Sequence, residues 1–294
     1  MSLFKTCKPL IGVVHLPPLP GSPGYMKRSY PTGIGKTWSI EEIYEYAKQE
    51  AKKYENAGFD AVIIENFGDK PYSIRATPGQ IAAMTGVVRE VARVVNIPVG
   101  VSLLRNSPYE SIYVALAGGA KFIRVNNLCE YRVSPEGVLE PSLQELARAV
   151  SELNLYETLT RGEFEILVDI DVKHSWPLID EYSVSHVMIE CLDRAGIPIS
   201  AIVATGPKTG VPPDKEYLNE LKTSLKPFKT KLVIGSGISS ENISEYWRFS
   251  DGFIVGTSIK LGGETENVVS VDKAKRLADI VARYREVWPC AKTR

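Results

Sequence analysis

One stretch of the sequence, FEILVDIDVKH at residues 164–174, sets two carboxylates and a lysine into an apolar strand pattern. Side chains alternate across a strand, so Asp169, Asp171 and Lys173 are predicted to share the face turned away from the surrounding helices. Charged groups are rarely buried without a partner or a function. A lysine beside carboxylates can act as an electrophile, a general acid or a Schiff-base former, and an internal Asp171–Lys173 ion pair is the structural alternative. We predict all three as candidate catalytic residues, with His174 at the edge.

Polar side chains also end other apolar stretches of the chain. His15 ends the first strand and Glu65 ends the second, and both suit acid–base work. Any one such residue could instead be a cap or a surface group, and a lone histidine is more often structural. Several strands that end in such groups favour a site over coincidence. The predicted substrate-binding residues are Asn66, Arg105, Asn106, Arg124, Asn126, His174, and also Thr205 and Lys208 of the TGPKTG loop, which reads equally well as a plain loop.

Two glycine-containing turns near the end of the chain favour an anion. GSGIS at 235–239 follows the seventh strand and runs into a short predicted helix, and GTSI at 256–259 follows the eighth. Helix N-termini bind anions through free N–H groups and the helix dipole. Tight packing alone is the alternative use of such glycines. The predicted phosphate-binding residues are Gly235, Ser236, Gly237, Gly256, Thr257 and Ser258.

Short apolar, β-branched runs alternate with helical patterns along the whole chain. Ser39 and Glu42 fit a capping box at the start of the first helix, and Ile43, Ala47 and Tyr54 share its apolar face. Eight strand–helix units without a linker predict one domain over 1–294, a (β/α)8 TIM barrel with its site at the C-terminal strand ends. A doubly wound sheet is the runner-up, but no GxGxxG follows the first strand. The predicted strands are 11–16, 60–68, 97–106, 121–128, 164–174, 201–206, 231–237 and 251–259.

The first strand is followed by an unusually long connection. It covers about residues 17–38 and begins HLPPLPGSPGY, in which prolines restrict the backbone. We predict that this loop forms a partial lid over the barrel mouth, with Tyr25 or Tyr30 near the ligand.

Composition narrows the function classes. The 294 residues carry 35 basic and 35 acidic side chains, which gives no nucleic-acid stripe and no strongly basic membrane face. No signal peptide and no apolar run of about 18 residues is present, so a cytoplasmic chain is expected. Cys7, Cys129, Cys191 and Cys290 are far apart and predict free thiols. His15, Glu65, Asp169 and Asp171 carry metal donor atoms, but without HxH or HExxH spacing we predict no metal and no cofactor.

The motifs together resemble one family. The matching stretches are HLPPLPGSPGY, DAVIIENFGDKPY, IAAMTGVVREV, PVGVSLLRN, FIRVNN, DIDVKH, ATGPKTG, GSGISSENI and DGFIVGTSIK. They cover about residues 11–260 and resemble the BtpA family. The resemblance implies a barrel of the ribulose-phosphate-binding kind. NNLCEYRVSPEGVLEP at 126–141 departs from the more glycine- and alanine-rich loop of relatives, so ligand contacts after the fourth strand are expected to differ.

Two functions follow from these observations. The resemblance implies either a role like that of the family's eponym, a thylakoid-associated factor that supports photosystem I accumulation, or one like that of SgcQ-type relatives found among sugar-metabolism proteins. We predict a lyase, aldolase or isomerase acting on a small phosphorylated metabolite such as a sugar phosphate or nucleotide derivative, in a homo-oligomer. The alternative is a non-catalytic, peripheral-membrane assembly factor.

Overall fold

The computed structural model describes residue 3 and residues 6–25, 38–179 and 181–289, and within these residues eight parallel strands close into a barrel. The order around the barrel is β1, β2, β3, β4, β7, β9, β10, β11, and β11 pairs with β1. The predicted TIM barrel is therefore confirmed. The strands are β1 (Leu10–His15), β2 (Ala61–Glu65), β3 (Val99–Ser102), β4 (Phe122–Val125), β5 (Arg132–Ser134), β6 (Gly137–Leu139), β7 (Glu165–Ile170), β8 (Trp176–Pro177), β9 (Ala201–Ala204), β10 (Lys231–Ile234) and β11 (Gly252–Val255).

Helices surround the barrel and follow its strands. The predicted capping box of α1 is present, with Ser39 and Glu42 bonding each other's backbone N–H groups. Two helices, α4 and α5, lie between residues 142 and 160. None of the helices in the described part of the chain is long and apolar enough to cross a membrane. The helices are α1 (Ile40–Ala57), α2 (Pro78–Ala92), α3 (Pro108–Gly118), α4 (Leu143–Glu152), α5 (Tyr156–Thr160), α6 (Val184–Arg194), α7 (Lys215–Ser224), α8 (Ile243–Tyr246) and α9 (Val271–Val287).

The apolar core has two layers, divided by the barrel wall. Ile166 and Val168 of β7 face the helices and belong to the outer layer. Leu167, between them, joins Ile63 and Phe122 in the barrel interior. This alternation follows from the period-2 geometry of a strand and was expected from the sequence. It fixes which β7 side chains point towards the barrel mouth.

A small antiparallel sheet lies beside the mouth, where only a loop was expected. Val133 of β5 pairs with Val138 of β6 and with Trp176 of β8. These strands have two or three residues each, too short for a clear alternating pattern in the sequence. We call β5, β6 and β8 the cap sheet. It brings the loop after β4 and the loop after β7 together above the barrel.

The prediction of free thiols was wrong. Cys129 and Cys191 form a disulfide with a Cα–Cα distance of 5.7 Å, within the range that a bridge requires. Cys7 is also disulfide-bonded, and Cys290 lies outside the described residues. Sequence distance was misleading because the barrel brings the loop after β4 against α6. The Cys129–Cys191 bridge anchors the base of the cap sheet to that helix.

Removing this bridge should lower the free energy of unfolding. The two cysteines enclose a segment with a sequence separation of 62, for which loop-closure entropy corresponds to about 4 kcal/mol. We expect Cys129→Ala/Cys191→Ala to shift the guanidinium unfolding midpoint downwards by that stability loss. Ser151→Ala, on an exposed position of α4, is the control. Equal midpoints for the double variant and the wild type would show that the bridge does not stabilise the fold.

Candidate functional site

A cavity of about 900 Å³ opens at the C-terminal ends of the barrel strands. This volume is at the upper end of the usual range for small-molecule sites. Its wall contains many of the residues singled out from the sequence. They are His15, Glu65, Arg105, Arg124, Asn126, Lys173, His174, Gly235, Ser236, Gly237, Gly256, Thr257 and Ser258.

A buried ion pair forms one side of the cavity floor. Arg124 of β4 donates from Nε and Nη2 to the two carboxylate oxygens of Asp169 on β7, at 2.8 and 2.9 Å. Asn126 Nδ2 donates to the same carboxylate at 3.1 Å. The Asp169 side chain is fully buried and does not line the cavity. Asp169, predicted as catalytic, is therefore a positioning residue that holds Arg124 and Asn126.

Glu65 lies between this pair and His15. Its carboxylate oxygens are 3.9 Å from Arg124 Nη1 and 3.8 Å from His15 Nε2. β1 and β2 place His15 and Glu65 side by side in register. The imidazole packs edge-on against Phe67 with a centroid distance of 4.9 Å. Burial, and then the charges of nearby lysines, hold the pKa of His15 well below its usual value. The ring is thus a neutral imidazole at neutral pH.

Lys173 places a lysine side chain in the cavity wall. Among the residues the structure describes, none forms a hydrogen bond or ion pair with Lys173 Nζ. Burial lowers the pKa of Lys173 and the nearby Arg124 lowers it further, whereas Glu65 and Asp169 raise it. Arg105 Nη2 fixes the backbone here by donating to the Lys173 carbonyl oxygen at 2.8 Å. This ammonium faces the cavity ready for a ligand.

Asp171 does not pair with Lys173. The prediction that it points into the barrel and the alternative of an internal Asp171–Lys173 ion pair were both wrong. Its backbone φ is +50°, in the left-handed region, so the strand ends and side-chain alternation stops. The carboxylate, 44% exposed, pairs with Arg132 of β5 at 2.7 Å. Asp171 therefore neither lines the cavity nor forms the internal ion pair with Lys173. It links the end of β7 to the cap sheet.

The two turns after β10 and β11 form one wall, which we call the glycine cradle (residues 235–237 and 256–258). A Cβ on Gly237, whose φ is +71°, would lie 2.0 Å from the Pro212 nitrogen. A Cβ on Gly256 would lie 2.6 Å from Cε1 of His15. Only glycine lets the chain approach so closely at these positions. The close fit sets Gly237 against Pro212 and Gly256 against His15.

Two serine hydroxyls of the glycine cradle fix its shape. Ser236 Oγ donates to the Val211 carbonyl and accepts from the Gly206 N–H, each at 2.9 Å. Ser258 Oγ donates to the Ile238 carbonyl at 2.6 Å. The hydroxyls thus tie the turns after β9, β10 and β11 to one another. We expect them to shape the wall more than to contact a ligand.

The short helix after β10 does not extend the glycine cradle. α8 has only four residues and begins at Ile243. The side chain of Asn242 accepts from the Ser239 N–H at 2.9 Å, and neither residue lines the cavity. The anion-binding helix N-terminus expected from GSGIS is therefore wrong, and only the turn itself faces the mouth.

Asn66 and Asn106 brace loops and do not reach the cavity. Asn66 Oδ1 accepts from the Leu104 N–H at 2.7 Å and its amide donates to Asp69 at 2.9 Å. Asn106 Oδ1 accepts from the Asn127 N–H at 3.2 Å. Both were expected to bind substrate. Their amides instead satisfy buried backbone groups at strand ends, a demand that single residues in a sequence do not reveal.

Thr205 and Lys208, in the loop after β9, also lie outside the cavity wall. Thr205 is buried behind Gly235. Lys208 is exposed. Thr209 lines the cavity instead and its Oγ1 is 3.2 Å from His174 Nε2. The loop after β9 therefore reaches the cavity, but the two side chains predicted to bind substrate do not.

The long connection after β1 does not cover the mouth where it is described. Leu19 N–H donates to Asp69 at 2.7 Å, which holds the chain against the loop after β2. Tyr25 packs against the hydrophobic core and does not line the cavity. The described part of the lid prediction is thus wrong, and Tyr30 lies outside the described residues.

Other loops, missed in the sequence, close the sides of the mouth. The turn between β5 and β6 places a carboxylate oxygen of Glu136 3.5 Å from Arg105 Nε. Lys70, beside Tyr72 after β2, lies 3.6 Å from Glu266. These residues sit in loops without periodicity, and only the motif ENFGDKPY that follows β2 could have drawn attention to Lys70 and Tyr72.

The potential metal-donor side chains of the described residues do not converge on one point. In the part of the chain that the structure describes, no three His, Cys, Asp or Glu side chains form a metal-binding group. The donor atoms of His15 and Glu65 do line the cavity, but Asp169 is committed to Arg124 and Asp171 to Arg132.

Comparison with known proteins gives a family and a fold. The model of the BtpA family matches residues 6–283. An uncharacterised protein of Pyrococcus abyssi is 38% identical, over 95% of this chain and 97% of its own length. The photosystem I biogenesis protein BtpA of Synechocystis is 31% identical, over 99% and 93% of the two chains. Phosphoribosyl anthranilate isomerase of Thermus thermophilus superposes with a TM-score of 0.53 at 13% identity, covering 94% of this chain and all of that one.

The neutral His15 should make folding stability depend on pH. A histidine whose pKa is lowered in the folded state binds a proton more readily when the chain is unfolded. Its contribution to the free energy of unfolding is therefore fully present above about pH 6.5 and decreases as the pH drops below that value. This single group contributes a slope of up to about 1.4 kcal/mol per pH unit. We expect His15→Gln to lose less stability than the wild type between pH 7.5 and 5.5 in urea unfolding. His186→Gln, which removes an exposed histidine of α6, should follow the wild type, and a parallel profile for His15→Gln would contradict the assignment.

Proposed function

The chain belongs to the BtpA family, and on this premise we propose that it binds a small phosphorylated metabolite, such as a sugar phosphate or nucleotide derivative, and acts on it as a lyase, aldolase or isomerase. One observation carries the proposal. The glycine cradle and Lys173, whose Nζ has no hydrogen bond or ion pair among the described residues, line the same cavity. A ligand held at the glycine cradle would present its carbon chain to Lys173, Glu65 and His15.

The glycine cradle suits a phosphate for electrostatic reasons. Phosphate groups bind where backbone N–H groups converge and no side chain intervenes. In barrels of this architecture the loops after the seventh and eighth barrel strands commonly form such a site. In this chain those barrel strands are β10 and β11. Arg124 adds a positive charge close by, since its Nη2 lies 3.5 Å from where a Cβ on Gly235 would be. The region thus combines a tight backbone wall with a fixed guanidinium.

Lys173 and Glu65 suit proton transfer next to a carbonyl. In an isomerisation, Glu65 would take the proton from the carbon beside the carbonyl while the Lys173 ammonium donates to the carbonyl oxygen, giving an enediol. Glu65 would then return its proton to the former carbonyl carbon, while the hydroxyl on the adjacent carbon gives its proton to the Lys173 amine. A new carbonyl forms at that adjacent carbon and both side chains are restored. The lowered pKa of Lys173 moves it closer to neutral pH, where general acids work best. His15, as a neutral imidazole beside Glu65, could relay the proton.

The comparisons support the proposal only in part. The likeness to phosphoribosyl anthranilate isomerase, at 13% identity, concerns the fold. As its name says, that protein is an isomerase of a phosphoribosyl compound, and isomerisation is one of the reactions proposed for this chain. The proposal itself rests on the chemistry of the residues around the cavity. It assigns the proton transfers to side chains of this chain and to no cofactor.

A second candidate function is a non-catalytic assembly factor. The observation that favours it is the 31% identity, over 99% of this chain, with a photosystem I biogenesis protein. Such a barrel could retain ligand binding without chemistry. The two candidates differ in one result, because only the enzyme converts the ligand that it binds.

A thermal-shift screen with inorganic phosphate and a set of sugar phosphates tests the phosphate site. A ligand at a hundred times its Kd stabilises the fold by about 2.7 kcal/mol, which should raise the Tm by several degrees. Thr257→Asp adds a carboxylate to the glycine cradle and should abolish the shift. Thr223→Asp, an exposed change on α7, is the matched control. An unchanged shift in Thr257→Asp would place the ligand elsewhere.

Substitution of Lys173 tests the chemistry apart from binding. With any ligand that the protein converts, we expect Lys173→Met to lower kcat by at least about 100-fold and to leave the thermal shift by inorganic phosphate in place. Lys208→Met removes a lysine exposed outside the cavity and should keep full activity. Borohydride trapping followed by mass spectrometry distinguishes the route, since an adduct on Lys173 would indicate a Schiff base. Full activity of Lys173→Met would exclude the proposed role.

A further inference from the structure

The cap sheet has an apolar outer face that the fold leaves uncovered. Side chains alternate across its strands, so Val133, Trp176 and Val138, which are cross-strand partners, share one face. Trp176 is 63% exposed, Val133 40% and Val138 43%. Leu178 continues this face, because its N–H donates to the Tyr131 carbonyl.

The opposite face of the same sheet is buried, and it holds Arg132 beside the apolar Leu139 and Pro177. Arg132, only 1% exposed, bonds there to Glu130, Asp171 and Ser175. The cap sheet therefore buries its arginine on the inner face and exposes its tryptophan on the outer face. A sheet that turns its charges inward and its tryptophan outward is built for contact on the outside.

We propose that this outer face is the interface between two copies of the chain. The apolar side chains exposed on and beside it are Tyr131, Val133, Val138, Trp176, Leu178, Ile179 and Tyr182. From their exposed fractions and the usual sizes of such side chains, they offer on the order of 800 Å². A stable interface buries about 800 Å² on each partner, so the face has the area that a two-fold dimer requires.

The composition of the face fits a protein partner of this kind. Three strand residues and two residues just beyond the strands form this face, and they include two aromatic and three aliphatic side chains and no charge. They are Tyr131, Val133, Val138, Trp176 and Leu178. Tryptophan and tyrosine are enriched at the energetically dominant centres of interfaces. A two-fold dimer makes such a face meet its own copy, so no charge complementarity is needed. Binding to an anionic membrane would instead require lysine and arginine around the apolar residues.

The dimer would also affect the cavity, because the cap sheet contributes to the cavity wall. The turn between β5 and β6 brings Pro135 and Glu136 to the cavity wall. Contact on the outer face would therefore support the sheet from behind and limit its movement at the mouth. The inference does not depend on the proposed function, because it rests on the exposed face alone.

Sedimentation velocity and light scattering at micromolar concentration test the proposal. The wild type should have twice the 32.5 kDa mass of one chain. Trp176→Ala should weaken the dimer at least tenfold, and Val133→Asp, which sets a charge at the centre of the face, should give a monomer. Trp288→Ala is the matched control, because Trp288 is also 63% exposed but lies after α9, away from the cap sheet.

Each outcome decides for or against the dimer. Circular dichroism and thermal unfolding of the variants show whether the monomeric forms keep their fold. A dimer lost in folded Val133→Asp and kept in Trp288→Ala supports the proposal. A monomeric wild type, or a dimer unaffected by Val133→Asp, overturns it. A monomeric wild type that sediments with vesicles of anionic phospholipid would assign the face to a membrane instead.

Discussion

The buried pair of Arg124 and Asp169 sets the electrostatics of the whole barrel mouth. A guanidinium can be held in this interior only because the carboxylate of the next barrel strand meets it with two hydrogen bonds. Once fixed, Arg124 lies near Glu65, lowers the pKa of Lys173 and borders the glycine cradle. Asp169 does this without reaching the cavity. A barrel that lost the pair would lose a fixed charge on which the candidate ligand site depends.

The cap sheet shows how the loops convert a plain barrel into a shaped pocket. It joins the loops after β4 and β7, and the Cys129–Cys191 disulfide ties its base to α6. Its inner face takes Asp171 away from Lys173 through Arg132. Among the described residues, Lys173 is therefore left without an ion pair of its own, although the charges of Glu65 and Asp169 still raise its pKa. Its outer face, with Trp176, is free to meet another protein.

The barrel, the order of its elements and the strand ends that face the mouth could all be predicted from the sequence, because buried parallel strands and capped helices have strong periodic patterns. Individual side chains were predicted less well. Alternation along β7 predicted the inward direction of Asp169. It failed at Asp171, where a left-handed backbone ends the strand. The disulfide and the cap sheet could not be predicted, since both depend on contacts between distant loops and on strands of two or three residues.

The central claim is that the glycine cradle binds a phosphate group within reach of Lys173. Amide chemical-shift mapping of the isotope-labelled protein with inorganic phosphate tests it most directly, because it needs no knowledge of the substrate. We expect saturable shifts concentrated at Gly235, Gly237, Gly256 and Thr257, with smaller changes around Lys173. Shifts that are absent at these amides, or that map to exposed basic residues outside the barrel mouth, would contradict it.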